Sequence, residues 1–202
     1  YRFEATFRGA AAHAGIRPES GRSAIVAAAR AVASLPLGRI DERTTANVGT
    51  IRGGSAINVV PDTCSVTGEV RSLDASAAEA LLSEIVDRVH EAANRPDCDV
   101  DVDLVTERTF TGYQLAVSTP GVQVAEAALR ACGQEPELIG SGGGSDVNAL
   151  IAQGFTAVNL ANATERNHEP GERVSARALH ETFDLALALV AQAAQLPAAA
   201  DM

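Results

Sequence analysis

Tyr1, Phe3, Ala5 and Phe7 alternate with polar neighbours, a period-two pattern that predicts a half-buried strand, and Gly9 ends it. Over residues 20–35 the apolar positions Ile25, Ala28, Ala29, Val32 and Leu35 recur at helical spacing, so a helix follows the strand. Residues 47–51 read as a short strand closed by Gly53-Gly54. Residues 60–73 read as a longer one with Cys64, Val66, Gly68 and Val70 on one face, and the two are expected to pair. Ser76 and Glu79 stand as a capping box before Leu81, Leu82, Ile85, Val86 and Val89, with the helix ending near Asn94-Arg95-Pro96. Val100, Val102 and Leu104 then alternate as a last strand. Strand, helix, strand, strand, helix, strand over residues 1–110 is the order of an α+β ferredoxin-like unit.

After Gly112 the pattern changes. Thr119-Pro120 opens an amphipathic helix to Cys132, and residues 140–146 form a glycine-rich turn leading into a short helix to Gln153. An apolar strand is expected over residues 156–160 and a polar loop to Gly171. From Ser175 a long helix carries Leu179, Phe183, Leu187 and Val190 on one face, and the alanine-rich tail after Leu196 is expected to fray. Residues 111–202 read as a partial α/β segment with too few strands to close a sheet by itself.

Charge and composition narrow the function. Hydrophobic residues at 46% and charged residues at 21% fit a folded chain. Sixteen basic residues against 26 acidic ones give a net charge of -10, the wrong sign for gathering phosphates, so nucleic acid is excluded as a partner. The most apolar stretch, residues 24–35, is broken by Arg30 and falls short of the roughly 20 residues a membrane span needs. Neither a membrane segment nor a signal peptide is expected. Cys64, Cys98 and Cys132 are odd in number and widely spaced, which points to reduced thiols and a cytoplasmic protein. The single methionine is Met202 and Tyr1 already lies in the strand pattern, suggesting a piece of a longer polypeptide.

Four clusters bear candidate chemistry. His13 lies among small residues between Gly9 and Gly15, where its imidazole could reach out of a loop, although a lone histidine is more often packed or solvated. Asn58 and Arg71 come from neighbouring strands, and an amide with a guanidinium fork could hold a substrate carboxylate. The alternative at that place is a surface pair between Glu69 and Arg71. The glycines of residues 140–146, Gly143 and Gly144 among them, lack the ending of a phosphate loop and would instead let backbone approach a substrate. His168 and Glu172 stand in the polar loop, where an imidazole suits zinc, yet a catalytic zinc needs three protein ligands and this stretch does not supply them.

In order and spacing these segments resemble the zinc exopeptidase family that includes peptidase T, carboxypeptidase G, aminoacylase, succinyl-diaminopimelate desuccinylase and β-alanine synthase. The resemblance rests on Gly9-Ala-Ala-Ala-His13-Ala-Gly15, Asn47 to Gly53-Gly54-Ser-Ala-Ile-Asn58-Val-Val-Pro61, Gly68-Glu69-Val-Arg71, Gly142-Gly-Gly-Ser-Asp146-Val-Asn148 and His168 with Glu172. The Ser-Asp-Asn and His-x-x-x-Glu forms are nearest to the peptidase T branch. The resemblance implies a lid or dimerisation domain over residues 1–110 followed by the C-terminal segment of an α/β catalytic domain, whose N-terminal part this chain does not contain. It further implies two zinc ions per complete site with His168 as one ligand, His13 steadying the oxyanion, Asn58 and Arg71 binding the substrate, and Gly143 and Gly144 lining the pocket. A small peptide or acylated amino acid would be the substrate, a homodimer through residues 1–110 the assembly, and the chain alone would be inactive. In the complete enzyme the zinc pair would polarise the carbonyl and acidify a water that a glutamate deprotonates. The competing expectation is a non-catalytic dimerising module that binds a small ligand.

Overall fold

The structure, a computed structural model, describes residues 1–196; the predicted fraying of the alanine-rich tail lies outside the described residues. The chain divides into two compact units, Tyr1–Gly112 and a second from Tyr113 onward.

The first unit is built on seven strands: β1 (Arg2–Arg8), β2 (Ala12–His13), β3 (Gly38–Arg39), β4 (Thr44–Gly53), β5 (Val59–Val60), β6 (Thr63–Ser72) and β7 (Asp101–Glu107). Helices α1 (Ala24–Ser34) and α2 (Ala75–Ala93) connect them. The main sheet is antiparallel in the order β3-β4-β6-β1-β7, while β2 and β5 form a separate two-stranded ribbon. The long strands and two helices give the ferredoxin-like arrangement. Alternation along β1 and β6 sends Phe3, Ala5, Phe7, Cys64, Val66 and Val70 to the face covered by α1 and α2, where they form the core with Ile85 and Val89. The opposite face carries Arg2, Glu4 and Arg8, all exposed.

Three local readings are corrected. The first helix begins at Ala24 rather than residue 20, because Arg22 is held in a bridge with Ala10 and Ser23 caps the helix by accepting from the Val26 N–H. Its buried stripe is Ala24, Ala27, Ala28 and Ala31, and Ile25 faces solvent. Apolar residues surround this helix, so periodicity alone did not choose the face; the alanines let the helix lie close to the sheet. The second helix is capped by Asp74, which accepts from the Ser76 and Ala77 N–H groups. Glu79 turns away to bond the Tyr1 hydroxyl and Arg108.

The second unit contains α3 (Pro120–Ala131), α4 (Asp146–Ala152) and α5 (Ala176–Ala193). Ser175 caps α5 by accepting from the Ala178 N–H, Ser145 with Asn148 forms a capping box on α4, and α3 follows Thr119 with Pro120 in its first turn. α5 packs on α3 and buries Ala178 and Leu185. The stripe Leu179, Phe183, Leu187 and Val190 is exposed, by 56% to 71% of each residue. The apolar segment 156–160 does not form a strand. A strand needs a hydrogen-bonded neighbour, and the β pairing among the described residues of this unit is the single bridge Glu165↔Arg173. Thr156 and Val158 instead lie against the start of α3 at Gly121.

All three cysteines are free thiols, Cys64 and Cys98 buried and Cys132 partly so, and burial pushes the Cys64 thiol above its ordinary pKa. No helix among the described residues is long and apolar enough to cross a membrane.

Candidate functional site

The ribbon of β2 and β5 is what brings His13 to Asn58. His13 pairs with Val59 and Ala12 with Val60, and the next link of the ladder is the Ala14 N–H donating to the Asn58 carbonyl at 2.9 Å. Two glycines, Gly9 and Gly21, make this ribbon possible by close approach. A side chain on Gly9 would overlap the Arg22 carbonyl, whose neighbourhood includes the Ala10↔Arg22 bridge. A Cβ on Gly21 would stand 2.7 Å from a Val60 methyl, so Gly21 lets the turn before α1 close over β5. His13 itself is exposed; its carbonyl accepts from the Ile16 and Arg17 N–H groups, and its Nδ1 accepts from the Gly15 N–H at 3.2 Å. Ile57, next to Asn58 in sequence, is fully exposed, and Ile16 is largely so. Sequence reasoning missed the ribbon because its strands are two residues long, below the length at which alternation carries a signal.

Arg71 is not brought to this place. It lies on β6 opposite Thr45 of β4, whereas Gly54, Thr63 and the β5 ribbon occupy the other end of the strand. Eight residue steps separate Thr63 from Arg71, a span of about 27 Å at the usual rise. Asn58, next to the β5 ribbon, and Arg71 therefore lie toward opposite ends of β6. The Arg71 fork is engaged within its own strand: Nε and Nη2 each donate to one carboxylate oxygen of Glu69 at 2.9 Å. A shallow groove on the open sheet face runs past Asn47, Thr67 and Glu69.

In the second unit, Ser145 caps α4 and also accepts from the Asn159 amide at 2.8 Å, and that amide donates to the Tyr113 hydroxyl as well. Neither this capping box nor the link to Asn159 was announced by the sequence pattern, which marked only a glycine-rich turn before a short helix. Gly143 and Gly144 lie on the exposed turn before this cap, with the Gly143 N–H donating to the Ser141 hydroxyl. His168 lies in a loop of unusual backbone: Ala163, Arg166 and His168 have φ of 56°, 60° and 64°, a region that side-chain-bearing residues visit at a cost of order 1–3 kcal/mol each. The Glu172 carboxylate accepts from the His168 N–H at 3.1 Å, and Arg166 pairs with Glu169. Glu172 thus holds the turn through its carboxylate. Among the described residues no three His, Cys, Asp or Glu side chains converge to hold a metal ion, so this chain's residues do not by themselves fit a zinc pair.

Known proteins resemble the chain in sequence and in fold. The chain is 36% identical over 187 residues to the uncharacterized protein YqjE of Bacillus subtilis, covering 93% of this chain and 50% of that protein. Among solved structures, aminopeptidase PepT of Bacillus cereus superposes with a TM-score of 0.77 at 36% identity, and a tripeptidase of Staphylococcus aureus with 0.83 at 30%. Each superposition covers 96% of this chain and 52% of the solved one, so the chain spans about half the length of these relatives. Residues 2–96 match the peptidase dimerisation domain of the M20 type. That stretch holds β1 to β6, both helices of the first unit and the His13–Asn58 ribbon. Residues 2–96 are accordingly a peptidase dimerisation domain of the M20 type, and the chain as a whole is similar in sequence and fold to about half of an aminopeptidase and of a tripeptidase.

Proposed function

We propose that this chain is part of a zinc-dependent exopeptidase acting on small peptides or acylated amino acids, and that its first unit serves both as dimerisation surface and as substrate lid. The observation that carries the reading is the ribbon that seats His13 beside Asn58 under the constraint of Gly9 and Gly21. An exposed imidazole and an amide at adjacent positions suit a peptide's polar backbone. His13 steadies the oxyanion that forms on the scissile carbonyl, and Asn58 orients the substrate. Because Arg71 lies about 27 Å along β6 from the ribbon's end of the strand, it serves the site of a second copy, binding the substrate's carboxylate there. The site is then shared between two protomers of a homodimer, in a cytoplasmic enzyme. Gly143 and Gly144 offer backbone to the substrate, and His168 is one metal ligand of a site completed by residues outside this chain.

Complementation in the complete enzyme tests the sharing. With a free-carboxylate substrate well below its KM, His13→Ala should be nearly inactive and Arg71→Ala should lose about nine-tenths of the rate or more, while their co-expression should restore about a quarter of wild-type activity. Half of randomly paired dimers are mixed, and each mixed dimer holds one intact site. A mixture no more active than its parents overturns the shared site. Light scattering on the 202-residue chain should give a dimer.

A further inference from the structure

We infer that the Gly15 amide is a positioning group that fixes the tautomer of His13, placing the ring proton on Nε2 so that His13 meets its ligand as a neutral hydrogen-bond donor. The Gly15 N–H can only donate, so the Nδ1 that receives it at 3.2 Å must present a lone pair. In a neutral imidazole the remaining nitrogen then carries the proton.

This arrangement is the reverse of the one that makes a histidine a base or a metal ligand. There a carboxylate or carbonyl accepts from Nδ1–H, leaving the Nε2 lone pair to take a proton or bind metal. His13 has no such acceptor: the Gly15 amide is the ring's one polar partner among the described residues. With Nδ1 tied back to its own loop, Nε2 is on the far side of the ring, and the side chain is exposed. The ligand that fits a neutral N–H at such a place is a carbonyl oxygen or the anion it becomes. A proton from substrate or a divalent cation would find no lone pair there without breaking the Gly15 bond. The tautomer stands on this geometry alone, whereas its use on a scissile carbonyl rests on the function proposed above.

The loop is built to keep this bond. The Ala14 N–H is used by Asn58, and the Ile16 and Arg17 N–H groups by the His13 carbonyl, so the Gly15 N–H is the amide of this turn left for the ring. A Cβ added at Gly15 would meet the ring's Cε1 at 3.6 Å and Nδ1 at 3.8 Å, ordinary contact distances. Alanine therefore fits and keeps the donor, while proline removes it.

The test is nitrogen-15 NMR of the histidine ring in the 202-residue chain, at a pH where the imidazole is neutral. Wild type and Gly15→Ala should show His13 with an acceptor-type Nδ1 and a protonated Nε2. Gly15→Pro should move both signals toward the averaged positions of a mixed tautomer. A protonated Nδ1 in the wild-type chain overturns the inference, as does a Gly15→Pro spectrum unchanged from wild type in a folded chain. If the proline variant fails to fold, the wild-type and alanine spectra decide. In the complete enzyme Gly15→Pro should lower kcat at least about tenfold with KM little changed, since a donor to an oxyanion acts in the transition state. The expected tautomer together with an unaltered kcat would leave the positioning intact and remove the oxyanion role.

Discussion

The ring of Phe3 occupies the space that a side chain on Gly68 would fill. The two residues face each other in the register of β1 and β6, and a Cβ on Gly68 would overlap the ring and the Asn47 carbonyl. Gly68→Ala should therefore destabilise the 202-residue chain by about 1–3 kcal/mol, the range for overpacking. Phe3→Ala should cost about 3–5 kcal/mol by leaving a cavity in the same place. Urea unfolding of the two variants and their double mutant checks this. Because the residues share one space, the double mutant should lose less than the sum of the two.

A second expectation concerns the start of α2. Hydrogen bonds from the Ser76 hydroxyl and from the Ala77 and Ser76 N–H groups hold the Asp74 carboxyl below the ordinary carboxylate range. A depressed carboxylate contributes its stability above the unfolded pKa, near 3.9, and loses it as pH falls through the lower folded value. Asp74→Ala should thus lower Tm at pH 7, and the gap to wild type should close as the pH is taken well below 4. Calorimetry across that window gives the answer, and a gap independent of pH would refute the cap's ionic character.

These cases show where sequence was sufficient. Strand alternation placed Phe3 and Gly68 on one core face, because a period of two is unambiguous when polar residues intervene. It did not choose the buried face of α1, where apolar residues stand on all sides, nor distinguish Asp74 from Ser76 as the cap, since both are good capping types two residues apart. The motif residues of the site were all identifiable by type. That His13 and Asn58 are neighbours while Arg71 is remote depended on β-sheet register and on a ribbon of two-residue strands, long-range facts that no local pattern carries.

The Glu69–Arg71 fork yields a further prediction. If Arg71 receives a substrate carboxylate in the complete enzyme, it must exchange one anion for another. Arg71→Ala should raise KM by about tenfold or more for substrates with a free carboxylate, the scale of a charge-assisted bond. An amidated analogue should be affected much less. Glu69→Gln should lower KM for the carboxylate substrate by removing the competing anion. Initial rates with the paired substrates measure both, and equal effects on the two substrates would remove Arg71 from carboxylate binding.

Metal content gives a separate expectation. His168 is held by its backbone to Glu172 without companion ligands among the described residues, so the dialysed 202-residue chain should retain well under one zinc per molecule and should not hydrolyse a tripeptide. Mass spectrometry of the purified chain and a peptide assay with added zinc test this. Stoichiometric zinc with turnover would mean that these residues suffice.

The outward stripe of α5 bears on how the chain behaves in a tube. Leu179, Phe183, Leu187 and Val190 form a continuous apolar band on a molecule whose net charge of -10 otherwise keeps copies apart. Colloidal behaviour should then be set by ionic conditions more than by folding. Low salt preserves mutual repulsion, whereas ammonium sulfate both screens the charge and strengthens apolar burial. The chain should bind hydrophobic-interaction resin early in such a gradient, and Phe183→Ser should delay that retention without altering the far-ultraviolet spectrum.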